Sequence, residues 1–126
     1  MHSYRIASVE DLRRVFTEVS KLDLRKPLLL SIKPWSDTPS DRQRRRHWAI
    51  MQEIASLAEV DGKRFTADTW HTHFKGLFLG WEDLPGGTMV PKSSTGLTRG
   101  EYSDFTDACI AYAATDLGLQ LSGEWE

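Results

Sequence analysis

Apolar residues recur at three- and four-residue steps in four stretches of the chain, and each stretch is opened by a residue able to cap a helix. Val9, Leu12, Val15, Phe16, Val19 and Leu22 follow Ser8, which has Asp11 three positions on. Trp48, Met51, Ile54, Ala55 and Ala58 follow Pro39 and Ser40, where proline suits a first turn and Gln43 completes a capping box. Trp70, Phe74, Leu77 and Phe78 follow Thr66, and Gly80 is placed to end that helix. Tyr102, Phe105, Cys109, Tyr112, Ala113 and Leu117 follow Thr98-Arg99-Gly100-Glu101, the clearest capping box of the chain, with Gly118 as the residue just past the end.

Between the helices the pattern is shorter. Tyr4-Arg5-Ile6-Ala7 reads as a brief strand, and Pro27-Leu28-Leu29-Leu30-Ser31-Ile32 as a buried strand bounded by prolines, giving a strand-helix-strand unit. Asp61-Gly62 is a tight-turn dipeptide across which Val60 and Phe65 are expected to pair. Leu84-Pro85-Gly86-Gly87 is a turn, and Thr88-Met89-Val90 and Lys92-Ser93-Ser94-Thr95 are candidate arms of irregular β structure. The expectation is an α+β fold of about four helices and a few short strands in one domain over residues 1–126. Its acidic tail, from about residue 119 to 126, is either docked by Trp125 or loose.

Size and composition support an ordinary globular domain: 126 residues, 40% of them hydrophobic, suffice for a real core. The net charge of −2 argues against a wholly basic nucleic-acid binder, but it conceals an asymmetry. Residues 1–64 hold thirteen Lys/Arg against nine Asp/Glu, or +4, whereas residues 65–126 hold three against nine, or −6. Cys109 stands alone, which excludes an intrachain disulfide and makes a reducing cytoplasm the simplest compartment. Met1–Ala7 leads into no apolar h-region, and no stretch approaches the ~20 apolar residues of a membrane span, so no membrane partner is expected.

The basic charge is concentrated where the second helix begins. Arg42, Arg44, Arg45 and Arg46 fall within five residues, directly ahead of Trp48 and the apolar stripe, so a cationic end is coupled to a packed one. Cations at a helix N-terminus oppose the macrodipole, and a placement that costs stability hints at use. Arginine's planar fork and permanent charge fit phosphate oxygens. Lys63 and Arg64, at the Asp61-Gly62 turn, extend this surface if the turn folds beside the helix. Among the five tryptophans, Trp48 and Trp70 lie on core stripes, which leaves Trp35, in the polar loop before the arginines, as the better candidate for stacking on unpaired bases.

Other chemistry carries less weight. Trp70-His71-Thr72-His73 resembles a metal motif, but on a helix residues two apart point about 200° away from each other and cannot share an ion. Glu82 and Asp83, with Asp61, admit a Mg²⁺-dependent nuclease, although no spacing predicts that these acids converge. Cys109 sits mid-helix on the apolar face, a place for an inert thiol. Neither a metal nor any other cofactor is expected.

Gln43-x-Arg45-x-x-Trp48-Ala49, then Asp61-Gly62-Lys63-Arg64-Phe65-x-x-Asp68-x-Trp70-x-x-x-Phe74-Lys75, then Val90-Pro91-x-Ser93-Ser94-Thr95 and the acidic-aromatic helix from Glu101 form an ordered set. This set, from about residue 3 to residue 122, resembles the NinB family, the Orf recombination protein of lambda-like phages and its relatives. The resemblance implies a non-enzymatic mediator: an α+β homodimer that binds single-stranded DNA with little sequence preference in the bacterial host cell. It also implies association with host single-strand-binding protein and help in loading a strand-exchange protein. Carried across by position, it falls on Gln43, Arg45, Trp48, Asp61, Gly62, Trp70 and Lys75. Arg42 and Arg44 depart from the family's usual residues and add positive charge. Together the two readings nominate Arg42, Gln43, Arg44, Arg45, Arg46, Lys63, Arg64, Lys75 and Trp35 as nucleic-acid-binding residues. The rivals are the nuclease and an adaptor whose arginines grip the acidic tail of single-strand-binding protein.

Overall fold

The computed structural model describes residues 3–125 and is α+β, with four α-helices and one antiparallel two-stranded ribbon among those residues. The order is α1 (Val9–Ser20), α2 (Asp41–Leu57), α3 (Ala67–Phe74), a π-helical turn (Lys75–Leu79), β1 (Trp81–Asp83), β2 (Met89–Pro91) and α4 (Arg99–Thr115). The chain groups into two compact units, Met1–Ser36 and Asp37–Glu126. No helix among the described residues is long and apolar enough to cross a membrane.

In the first unit α1 forms as its cap predicts. Ser8 Oγ accepts from the Asp11 N–H at 3.1 Å, and Asp11 Oδ2 accepts from the Ala7 N–H at 3.0 Å. Its apolar stripe, however, leaves no residue of the helix buried. The two strands expected on either side of it are absent: Tyr4–Ala7 and Pro27–Ile32 join no ladder among the described residues, and Leu29 is 93% exposed. A β-prone apolar run specifies an extended backbone, but a strand exists only when a neighbour supplies its hydrogen bonds. The β part of the fold is formed elsewhere.

The second unit carries the core. Ser40 Oγ accepts from the Gln43 N–H at 3.1 Å and Gln43 Oε1 from the Ser40 N–H at 2.9 Å, so the predicted capping box opens α2, with buried Pro39 one position before the cap. Thr98 and Glu101 open α4 in the same way, and Thr66 caps α3. Where α2, α3 and α4 meet, Ile50, Met51, Ile54, Phe74, Cys109 and Ala113 are wholly buried, and Trp70 and Phe105 almost so. The buried stripe of α2 keeps the expected Met51, Ile54 and Ala58 but is centred differently. His47 and Ile50 occupy its centre, while Trp48 and Ala55 lie half-buried at its edge.

Two turns shape the rest. Asp61 and Gly62, at φ 52° and 76°, give a two-residue turn in which Val60 and Lys63 exchange both backbone hydrogen bonds at 2.9 Å. The pair is thus Val60–Lys63 and not Val60–Phe65, because a turn with two positive-φ residues joins the residues immediately flanking it. After α3, Gly80 at φ 91° turns the chain into β1. There Trp81 lies so close over Gly76 that a Cβ would come within 2.7 Å of its ring. Across Leu84–Gly87, β1 pairs with β2 in the register Trp81↔Pro91 and Asp83↔Met89, whereas Lys92–Thr95 joins no strand. Past α4, Gly118 at φ 64° lets the Leu119 N–H reach back to the Ala113 carbonyl at 2.9 Å. The tail is docked: Glu53 accepts from the Ser122 N–H at 3.1 Å and from Trp125 Nε1 at 3.0 Å.

Candidate nucleic-acid interface

The first two turns of α2 place the arginines around the helix end, since residues one apart are rotated by about 100°. Their commitments differ. Arg45 is exposed and has neither an ion pair nor a hydrogen bond among the described residues. Arg44 faces Asp41 at 3.5 Å, but both side chains are largely in water, where such a pair holds little energy. Arg42 is exposed. Arg46 is half-buried, its guanidinium 5.6 Å from the centre of the Trp125 ring. A cation against an aromatic ring keeps its charge and its outward N–H groups, so the arrangement holds Arg46 without neutralising it.

Gln43 is a structural residue in this arrangement. One end of its amide closes the cap of α2, and Nε2 donates to the Arg99 carbonyl at 3.0 Å, tying the start of α2 to the start of α4.

Lys63 and Arg64 do not extend the arginine cluster. The turn that carries them folds at the other end of α2, where Arg64 donates to the Ser56 carbonyl. Twelve residues of helix between Arg44 and Ser56 span about 18 Å, so two basic loci exist, one at each end of the same helix. A cation at a helix C-terminus meets orphan carbonyls and the negative end of the dipole, which accounts for Arg64 locally. Lys63 is exposed, without an ion pair among the described residues. Lys75 caps the C-terminus of α3, half-buried.

Trp35 belongs to the first unit, where the Arg5 guanidinium lies 4.4 Å from its ring centre. In the second unit, Trp125 stands against Arg46 of the arginine helix. Sequence periodicity passed over it because its partners, Glu53 and Arg46, are more than seventy residues away along the chain.

Beneath the arginines lies a polar chain that sequence reading also missed. His47 Nδ1 is 3.0 Å from Thr106 Oγ1, and His47 Nε2 is 2.9 Å from His71 Nδ1. Burial, with the neighbouring His71 adding to it, pushes His47 down to about 3. Burial, followed by the charge of Lys75, lowers His71 to about 4. Both are therefore neutral at pH 7, and a neutral pair can share the single proton that a ring-to-ring hydrogen bond needs. Phe105 stacks on His47 at 5.2 Å, which completes a closed aromatic surround.

His71 and His73 lie on α3 as expected, the first buried and the second exposed. No group of three or more His, Cys, Asp or Glu among the described residues converges in the manner of metal ligands. Glu82 and Asp83 are consecutive in β1, so their side chains leave opposite faces of the ribbon, and both are exposed. Burial pushes the Cys109 thiol up to about 12, which leaves no thiolate for nucleophilic chemistry.

Comparison with protein-family models and with curated proteins finds no match. Among solved structures, one described as NinB, from structural genomics, superposes with a TM-score of 0.56 at 20% identity, and the match covers 97% of this chain and 95% of that one. Such coverage takes in nearly every element described above, and at that identity it speaks for architecture: the chain has a NinB-like fold.

Proposed function

We propose that this protein is a non-catalytic recombination mediator that binds single-stranded DNA with little sequence preference, using the arginines that open α2. The observation that carries the reading is Arg45, exposed and unpaired among the described residues on a helix whose other side is locked into the core. Arg44 and Arg46 flank it, the first weakly paired and the second held on an indole. Guanidinium groups on a rigid helix meet phosphates with little entropy left to lose. The NinB-like fold supports a place in phage recombination; the rest of the proposal is that the protein acts in the bacterial cytoplasm as a homodimer, with host single-strand-binding protein and a strand-exchange protein as partners.

The test is fluorescence anisotropy of a labelled oligo-dT with rising salt. Engagement of three or four arginines gives a log–log slope of about −2 to −3, from about −0.7 per neutralised phosphate. Arg45→Ala with Arg46→Ala is expected to weaken binding and flatten the slope while the fold is retained. A salt-independent affinity, or an unchanged one in the double variant, would remove the mechanism. Cleavage of branched or single-stranded DNA in Mg²⁺ would replace it with the nuclease reading.

A further inference from the structure

At the end of α2 opposite the arginines, a cleft of about 310 Å³ opens between the Val60–Lys63 turn, α3 and the last turn of α4. Four of its seven wall residues, Phe65, Trp70, His73 and Tyr112, carry rings, and Val60, Thr69 and Leu117 complete the lining. Those rings stand at steep angles to one another. Phe65 meets Trp70 edge-on at 6.1 Å and 88°, Trp70 meets His73 at 5.7 Å and 85°, and His73 meets Tyr112 at 6.0 Å and 62°. Rings set edge to face present both faces and edges to the space between them, and its volume lies at the small end of ligand cavities, enough for one ring system. The indole N–H of Trp70 is buried and unpaired, so this residue offers the cleft ring carbons and no hydrogen-bond donor. The four rings supply most of the contact that a guest meets.

Charge selects the class of guest. Lys63, exposed and without an ion pair among the described residues, belongs to the turn that supplies Val60, a turn that follows Glu59 and also carries Asp61, while the Arg64 guanidinium is committed to the Ser56 carbonyl. On the other side an adjoining depression beyond Thr69 and His73 ends at Asp68. A guest with an anionic attachment is directed to leave by the Lys63 side.

We propose that this cleft takes one unstacked nucleobase of a single strand whose neighbouring phosphate lies against Lys63. The inference rests on the reading of the chain as a single-strand binder, and it gives the second basic locus, stranded about 18 Å from the first by the length of α2, a role of its own. A strand held at both ends of α2 has its phosphates gripped at the arginine end and a base inserted at the other. Recognition of this kind tolerates any sequence, because every base has a π-face.

The experiment compares the full-length protein's affinity for oligo-dT with its affinity for an abasic oligonucleotide of equal length and charge, at one salt concentration. Stacking of one base predicts that oligo-dT binds about tenfold more tightly. Phe65→Ala and Tyr112→Leu should bring oligo-dT down to the abasic level and leave abasic binding unchanged. Phe65→Leu, which keeps an apolar wall without a ring, should do the same, and intact abasic binding certifies that each variant is folded. Equal affinity for the two oligonucleotides in the parent protein overturns the base cleft while the phosphate mechanism stands. A preference that survives Phe65→Leu and Tyr112→Leu also overturns it. Binding of neither oligonucleotide removes the single-strand reading itself, and the cleft proposal with it.

Discussion

Lowering the pH from 6.5 to 5 should destabilise this protein by several kcal/mol, through two side chains with no part in the proposed binding surface. His47 is fully buried and His71 nearly so, hydrogen-bonded to each other at 2.9 Å. Both pKa values are depressed from 6.5, to about 3 and about 4, chiefly by burial. In the folded state the rings resist protonation, while in the unfolded chain they take up protons near pH 6.5. The stability they contribute is therefore complete above pH 6.5 and is lost as pH falls towards 4. Because the unfolded rings are already half protonated at pH 6.5, each histidine loses about 1.6 kcal/mol between pH 6.5 and 5 at about 1.4 kcal/mol per pH unit, and the pair about 3. The window is clean of carboxylates. Asp11, Asp23, Glu53 and Glu101 are all lowered from their ordinary values, so their contribution is lost only at lower pH. Urea denaturation midpoints measured each half unit from pH 7.5 to 4.5 give the curve directly. His71→Gln, which keeps a polar partner for His47 without a titratable one, should show about half the slope. A stability that is flat to within 0.5 kcal/mol between pH 7 and 5, or an imidazole proton resonance of either ring titrating near pH 6.5, would refute the reasoning.

Two further expectations follow from single side chains. Gln43→Ala removes both the N-cap bond and the bond to the Arg99 carbonyl, so it should cost about 1–2 kcal/mol in thermal or urea unfolding; a neutral substitution would show that these bonds do not hold α2 to α4. Cys109, wholly buried and with its thiol pushed up to about 12, should react with a thiol reagent only as fast as the protein unfolds, and prompt modification of the folded protein would contradict the packing.

How far the sequence could be read depended on the distance over which each feature is decided. The helix starts at Ser40, Thr66 and Thr98 were all legible, because a cap is a bargain between residues three apart. The Asp61-Gly62 turn was legible for the same reason, although its pairing partner was misjudged by two residues. The Pro27–Ile32 run failed as a strand because strand formation is a statement about a neighbour, and none of the described residues supplies one. On the buried face of α2, Met51, Ile54 and Ala58 were read correctly, whereas His47 and Ile50 were missed, since a 3.6-residue period leaves the stripe's centre ambiguous and a histidine does not announce itself as core. Only contact with Thr106 and His71, fifty-nine and twenty-four residues away, makes His47 an inside residue.

The candidate site divides along the same line. Four arginines ahead of an apolar stripe were visible as a cationic helix end, because charge and periodicity are properties of the string itself. The string determined the helices, their caps and the presence of that charge. The tertiary structure decided which charges stand together: it carried Lys63 and Arg64 to the far end of α2, brought Trp125 under Arg46, turned Gln43 into a brace and closed a ring-lined cleft from three separate segments. The reason is physical. Capping and periodicity act within a turn or two of chain, whereas packing and long-range hydrogen bonds exist only once distant segments have been folded against one another.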